Sequence, residues 1–201
     1  MAMISLQPHD LLWGMTSEIL SDDAPQWVID TVNDYSPVVV RRAESWNNMI
    51  PVGIRGKQRN QRFALQMPVA MIKKCVKPES LIERDLNVFP HLRAKLANIY
   101  PLMQSLNLPW GYTGSVGFEL ATGLRTVTEN SDIDLLIRVR KAMSKTDAQD
   151  ILLRLDSLEM KLDIQLQTPA GGVALKEWAT TTGKVLLKRN DNAVLVENPW
   201  C

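Results

Sequence analysis

Cysteine is scarce in this chain: Cys75 and Cys201 are the only two, far apart, and one is the last residue. Such a pair supports no disulfide framework and reads as free thiols in a reducing compartment. Long apolar runs are missing as well. No stretch approaches the ~18 apolar residues that cross a bilayer, so no membrane partner is expected. Met1 to Gly14 lacks the basic and apolar regions of a signal peptide, and a cytoplasmic location is expected. Histidine occurs twice; His9 beside Asp10 and His91 beside Pro90 both read as structural. There is no internal repeat and no low-complexity tract. What is left is an ordinary globular composition of 201 residues, 45% apolar and 22% charged, enough for one substantial core or two small domains.

Net charge is only +1, but it is unevenly spread. Between Arg41 and Lys74 there are eight basic residues and one acidic, a local +7 that leaves the remainder at −6. So concentrated a charge favours a polyanionic partner. Aromatics are sparse within it, which argues for a compact, phosphate-rich ligand and against nucleic acid.

The first part of the chain reads as a small sheet domain. Ser21-Asp22-Asp23-Ala24-Pro25 can start a helix, with Asp22 or Asp23 as cap and Trp27, Val28, Thr31 and Val32 on one face. Pro37-Val-Val-Val-Arg-Arg, Ile50-Pro-Val-Gly-Ile-Arg-Gly and Gln61 to Ile72 follow as three β-rich runs separated by turns. Arg55-Gly-Lys-Gln-Arg-Asn-Gln-Arg forms a basic loop between the last two. Pro78 opens a predicted helix. Leu92, Leu96, Ile99, Met103 and Leu106 have helical spacing, and Pro101 is expected to kink or divide that element.

The second part alternates helix and strand. Trp110 to Ala121 reads as a short strand, a glycine turn and a helix start. Gly114 lets backbone approach a ligand closely, Gly117 keeps the turn slim, and Ser115 is expected to cap the helix, whose first N–H groups form an anion site. Ser131-Asp-Ile-Asp-Leu-Leu-Ile reads as a strand, on which residues two apart share a face, so Asp132 and Asp134 project side by side. Adjacent carboxylates repel and are costly to desolvate, and a divalent cation such as Mg²⁺ relieves both problems. Ser144 caps a helix with the stripe Ala148, Ile151, Leu152, Leu155 and Leu158. In Lys161-Leu-Asp-Ile-Gln-Leu-Gln, Leu162, Ile164 and Leu166 share a face opposite Asp163, Gln165 and Gln167. Gly171 to Ala179 reads as a further helix, followed by short strands at 184–188 and 193–197.

A Gly-Ser helix start followed by a hydrophobic Asp-x-Asp strand resembles the nucleotidyltransferase fold of the DNA polymerase β type. In that fold a third carboxylate comes from a later strand, and Asp163 is expected to stand beside Asp132 and Asp134. The stretch from Val116 to Ser131 is longer than in minimal members and reads as an extended loop containing Gly123, Thr126, Thr128 and Asn130. The expected architecture is α+β / α/β: a small β-rich, phosphate-binding domain over residues 1–80 and a nucleotidyltransferase-like catalytic domain over 81–201, with a mixed sheet flanked by helices.

A closer resemblance covers nearly the whole chain. Pro8-His-Asp-Leu-Leu-Trp, Pro37-Val-Val-Val-Arg-Arg, the Ile50 to Gly56 block with Arg59 and Gln61-Arg62, and Gly114-Ser-Val-Gly-Phe-Glu-Leu-Ala-Thr-Gly with Ser131-Asp-Ile-Asp-Leu-Leu-Ile are similar, in that order, to the phosphoribosyl-dephospho-CoA transferases of the malonate decarboxylase system. The resemblance implies a defined reaction. The prosthetic group of 2′-(5″-triphosphoribosyl)-3′-dephospho-CoA passes to a serine hydroxyl of the apo acyl carrier protein subunit, and pyrophosphate leaves. It also implies site roles. Asp132 and Asp134 hold Mg²⁺, as one or two ions, and Asp163 shares a second ion or acts as base. Gly114, Ser115 and Gly117 cradle phosphates, and Arg41, Arg55, Arg59 and Arg62 neutralise them from a cleft between the domains. The alternatives are a nucleotidyltransferase using an ordinary nucleoside triphosphate, the equivalent transferase for the citrate lyase carrier, and a phosphate-binding module without turnover.

Overall fold

The computed structural model describes residues 6–201 except Trp46, Arg59, Asn130 and Glu159. The chain divides into two compact units, Met1–Lys77 and Pro78–Cys201.

The N-terminal unit is an antiparallel sheet covered by one helix. Its elements are β1 (Leu11–Trp13), α1 (Gln26–Asn33), β2 (Val38–Val40), β3 (Met49–Arg55), β4 (Arg62–Pro68) and β5 (Lys74–Val76), with strand order β4-β3-β2-β1-β5. Strands β3 and β4 pair along their full length, from Met49 opposite Pro68 to Arg55 opposite Arg62. Val52 and Ile54 point to the core, where they meet Leu12, Val38, Val40 and Met67, and α1 lays Val28 and Val32 on the same cluster. Each aliphatic side chain so enclosed contributes about 2 kcal/mol. Neither Asp22 nor Asp23 caps α1, because the helix starts later, after Pro25, with no side-chain cap. Strands β1 and β5 carry only three residues each and escape a search for alternating runs.

In the C-terminal unit follow α2 (Arg93–Ser105), β6 (Trp110–Tyr112), α3 (Gly114–Thr122), β7 (Ile133–Arg138), α4 (Lys145–Asp156), β8 (Leu162–Gln167), β9 (Gly172–Ala174), α5 (Leu175–Thr180), β10 (Val185–Lys188) and β11 (Ala193–Val196). The sheet order is β11-β10-β9-β8-β7-β6. β7 and β8 are parallel and the other pairs antiparallel, so the sheet is mixed and the fold is α+β as the sequence implied. The crossover α4 begins at Ser144, whose hydroxyl accepts a hydrogen bond from the Asp147 N–H at 3.0 Å, and it buries Ala148, Ile151 and Leu155. No helix among the described residues is long and apolar enough to cross a membrane.

The expectations for Pro78 and for the stretch from Gly171 fail for identifiable reasons, and Pro101 does not divide its helix. Pro78 opens only a 3-10 turn, Pro78–Leu81, with Glu79 paired to Arg138 at the end of β7. Helix α2 runs through Pro101 undivided; the carbonyl that loses its partner, on Ala97, is on the exposed side, while Leu96, Ile99 and Met103 hold the buried side. The stretch from Gly171 forms strand β9 before α5, since Gly172 to Ala174 pair with Gln165 to Gln167 at the sheet.

Candidate active site

The site grows from the junction of β6, α3 and β7. The backbone N–H of Thr113 donates to the carbonyl of Asp134 at 2.9 Å, which ties the end of β6 to the start of the carboxylate strand. Gly114 then turns the chain with φ +57°, in the left-handed region, and a Cβ there would overlap the Asp134 carboxylate. Helix α3 begins at that glycine, so Ser115 is a buried first-turn residue and not the cap expected of it. Thr113 occupies the cap position, and its own side chain makes no capping hydrogen bond. At Gly117 a Cβ would come within 2.5 Å of the Tyr112 carbonyl oxygen, so the glycine lets the helix lie close against β6.

Asp134 and Asp163 are register partners on the parallel strands β7 and β8. Partners in a sheet project to the same face, about 4.8 Å apart along the hydrogen-bonding direction. Their faces alternate with apolar ones: Ile133, Leu135 and Ile137 pair with Leu162, Ile164 and Leu166 on the opposite side. Asp134 is half-buried and Asp163 exposed; Asp132 is exposed and stands one residue before β7. Among the described residues no group of three or more His, Cys, Asp or Glu side chains forms a ready-made metal cage. Mg²⁺ asks for less, since it takes one or two carboxylates and fills its shell with water and substrate phosphates. The Asp134–Asp163 pair, backed by the Gly114 turn, fits such an ion chemically.

Tyr112 pairs with Leu135, so its side chain lies on the sheet face opposite the aspartates. It is 1% exposed, and burial pushes its phenol up to about 12. Glu119 is a residue to which the sequence alone assigned no role. Its buried carboxylate accepts the backbone N–H groups of Thr126 and Val127 at 2.7 and 2.8 Å, so the long segment after α3 is tied down. A buried acid on a helix next to an over-long, polar loop was the available signal.

In the N-terminal unit, Arg55 and Arg62 face each other across the β3–β4 ladder. They share a face with Gly53, two residues before Arg55 and on the side opposite buried Val52 and Ile54. A Cβ at Gly53 would come within 3.0 Å of the Arg41 Cδ, so the stem of Arg41 passes over this glycine. Three of the arginines singled out by sequence thus collect on one sheet face. Arg59 lies outside the described residues. Like charges placed directly opposite on paired strands destabilise the ladder unless a counter-charge is bound.

Two family profiles match the chain in sequence order. The N-terminal domain of phosphoribosyl-dephospho-CoA transferase MdcG matches residues 7–78, and its C-terminal domain matches residues 81–199. The chain belongs to the phosphoribosyl-dephospho-CoA transferase family. Proteins of that name from Pseudomonas putida strain W619 and Azotobacter vinelandii are 44% and 45% identical to it, over 98% and 96% of this chain and 97% and 94% of theirs. The Pseudomonas aeruginosa protein is 42% identical over 96% of this chain and 93% of its own. Membership makes the chain an enzyme of the transferase class. No solved structure is significantly similar to it. The carboxylates fall within the stretch matched by the C-terminal profile and the arginine face within that matched by the N-terminal one.

Proposed function

We propose that the chain transfers the prosthetic group of 2′-(5″-triphosphoribosyl)-3′-dephospho-CoA to a serine hydroxyl of the apo acyl carrier protein subunit of malonate decarboxylase, in the cytoplasm. The observation that carries the reading is the Asp134–Asp163 register pair set against the Gly114 turn, in a chain of this family.

In the reaction the serine oxygen forms a bond to the α-phosphorus while the bond from that phosphorus to the bridging oxygen breaks. The leaving pair goes to pyrophosphate. Such a transfer needs positioning and charge neutralisation more than covalent help from protein. Asp132 and Asp134 would hold the ion, and Asp163, the register partner of Asp134, would share a second ion or act as base. When bound, Mg²⁺ neutralises triphosphate charge at the carboxylates and supplies a Lewis acid. Asp163, the exposed member of the pair, takes the serine proton. The leading N–H groups of α3 at Gly114 and Ser115 receive the β- and γ-phosphates, an arrangement favoured at a helix N-terminus, and Gly117, its N–H bonded to the Thr113 carbonyl, seats the helix for them. Arg55 and Arg62, with Arg41, and Arg59 beside them in sequence, bind donor phosphates, for which a guanidinium fork is well suited.

Mass spectrometry of the apo carrier subunit tests the reading. Incubation with the chain, the triphosphoribosyl donor and Mg²⁺ should add the mass of phosphoribosyl-dephospho-CoA, and EDTA or Asp134→Ala should abolish the gain. A nucleotide adduct from ATP, or modification of the citrate lyase carrier in preference, would overturn the substrate assignment.

A further inference from the structure

The segment between α3 and β7 has more chain than its path requires. Helix α3 carries the backbone away from Gly114, yet β7 must return to put Asp134 against Gly114. A nine-residue helix is about 13 Å long, a distance that roughly four extended residues can recross. The connection from Gly123 to Asp132 is more than twice that. The excess is folded by specific bonds. Gly123 reverses the chain in the left-handed region, φ +75°, with its N–H on the Glu119 carbonyl at 2.8 Å. The Thr122 hydroxyl accepts the Leu124 N–H at 3.1 Å. A single Glu119 carboxylate oxygen then takes both the Thr126 and Val127 N–H groups. The Thr126 hydroxyl donates to the Ser115 carbonyl at 3.0 Å, in the first turn of the same helix. From there a turn closed by the Thr128 N–H on Ser131 Oγ at 2.9 Å, and the Ser131 N–H on the Thr128 carbonyl at 3.0 Å, delivers the chain to Asp132.

We infer that Glu119 is a positioning residue for transfer: its carboxylate pins Thr126 and Val127, and so sets where Asp132, and the start of the Asp134 strand, stand relative to the Gly114 turn. The inference rests on the carboxylate roles given under Proposed function. Hydrogen bonds from N–H groups to an ionised carboxylate are short and strong, as these are, and the acid is buried away from competing water. The Glu119 carboxylate bonds only to the far end of this connection, and its loss reaches Ser115 only through the Thr126 hydroxyl on the Ser115 carbonyl, so it misplaces the carboxylates before it disturbs the residues that hold the donor.

Amide hydrogen exchange and steady-state transfer on the full chain test this together. In wild type the Thr126 and Val127 amides should be protected. Glu119→Ala should release both and lower kcat by ~10²-fold, as expected for misplacement near 1 Å, with the donor KM little changed. Glu119→Gln, whose one amide oxygen can accept both N–H groups, should restore protection and most of kcat. Val127→Pro removes one donor without touching α3 and should give an intermediate loss, which keeps the test open if the alanine variant fails to fold. Free exchange at both amides with wild-type kcat, or Val127→Pro at full activity, overturns the inference. So does a Gln variant as inactive as Ala, since the charge would then act directly. A folded wild-type chain that transfers nothing onto the carrier overturns the functional reading and, with it, the catalytic part of this inference, whatever the amides do.

Discussion

Gly114 brings its Cα so close to the Asp134 carboxylate that no Cβ fits between them, and its φ of +57° is one that residues with a Cβ rarely adopt. Gly114→Ala therefore meets two penalties at once. The left-handed backbone costs about 1–2 kcal/mol, and the added methyl must displace the carboxylate. Transfer should fall by ~10²-fold or more, with a lower Tm, if carboxylate position sets the rate. Carrier modification and thermal melting read both effects; wild-type activity would show that Asp134 can shift without consequence.

The register of Asp134 with Asp163 predicts that function opposes stability here. Two like charges on directly paired positions repel, by up to about 1 kcal/mol in a sheet. Asp163→Asn should abolish transfer yet raise Tm slightly. Mg²⁺ should raise the Tm of wild type and have a smaller effect on the Asn variant, because binding to the folded state alone stabilises it. Calorimetry with and without Mg²⁺ checks this. An equal Mg²⁺ response in both proteins would remove Asp163 from the ion site.

Arg62 faces Arg55 across the ladder on the side opposite buried Val52 and Ile54, and its side chain is exposed, so an anion can reach it. Arg62→Gln should leave the melting temperature unchanged or higher while raising the donor KM by about tenfold, the loss of one charge-assisted bond or slightly more. Arg62→Lys should not fully restore binding, since a point charge lacks the guanidinium fork. An unchanged donor KM in the Gln variant would remove this face from donor binding.

Alkaline pH should destabilise the chain through two groups, the half-buried Cys75 thiol and the buried Tyr112 phenol. Cys75 is raised from 9.0 to about 11, first by burial and then by the nearby Asp10 carboxylate, and Tyr112 from 10.0 to about 12 by burial. Both neutral forms are favoured in the folded state. Their contribution is complete below about pH 9 and is lost as pH climbs through 11 and then 12. Tm measured from pH 8 upward should show this, and Cys75→Ser should flatten the decline through pH 11. At pH 8 a thiol reagent should label exposed Cys201 quickly and Cys75 slowly.

Much of this arrangement was legible in the amino-acid sequence because it is written in local periodicity. The two-residue alternation of β7 and β8 separates the aspartates from Ile133, Leu135, Ile164 and Leu166, and the Ser144 cap with its apolar stripe marks the crossover that makes those strands parallel. The order Gly-Ser, Asp-x-Asp, Asp and the run of arginines likewise need no coordinates to be noticed. Tertiary structure decided what depends on distance and register. That Asp163 pairs with Asp134 follows from how two separate strands slide against each other. That Gly114, and not Ser115, starts α3 follows from the space the Asp134 carboxylate occupies. That Arg55 meets Arg62 depends on the register of a hairpin whose turn is read only weakly in sequence. Glu119 shows the difference most plainly, for its partners are backbone N–H groups, identical at every residue, and only folding chooses which two it holds.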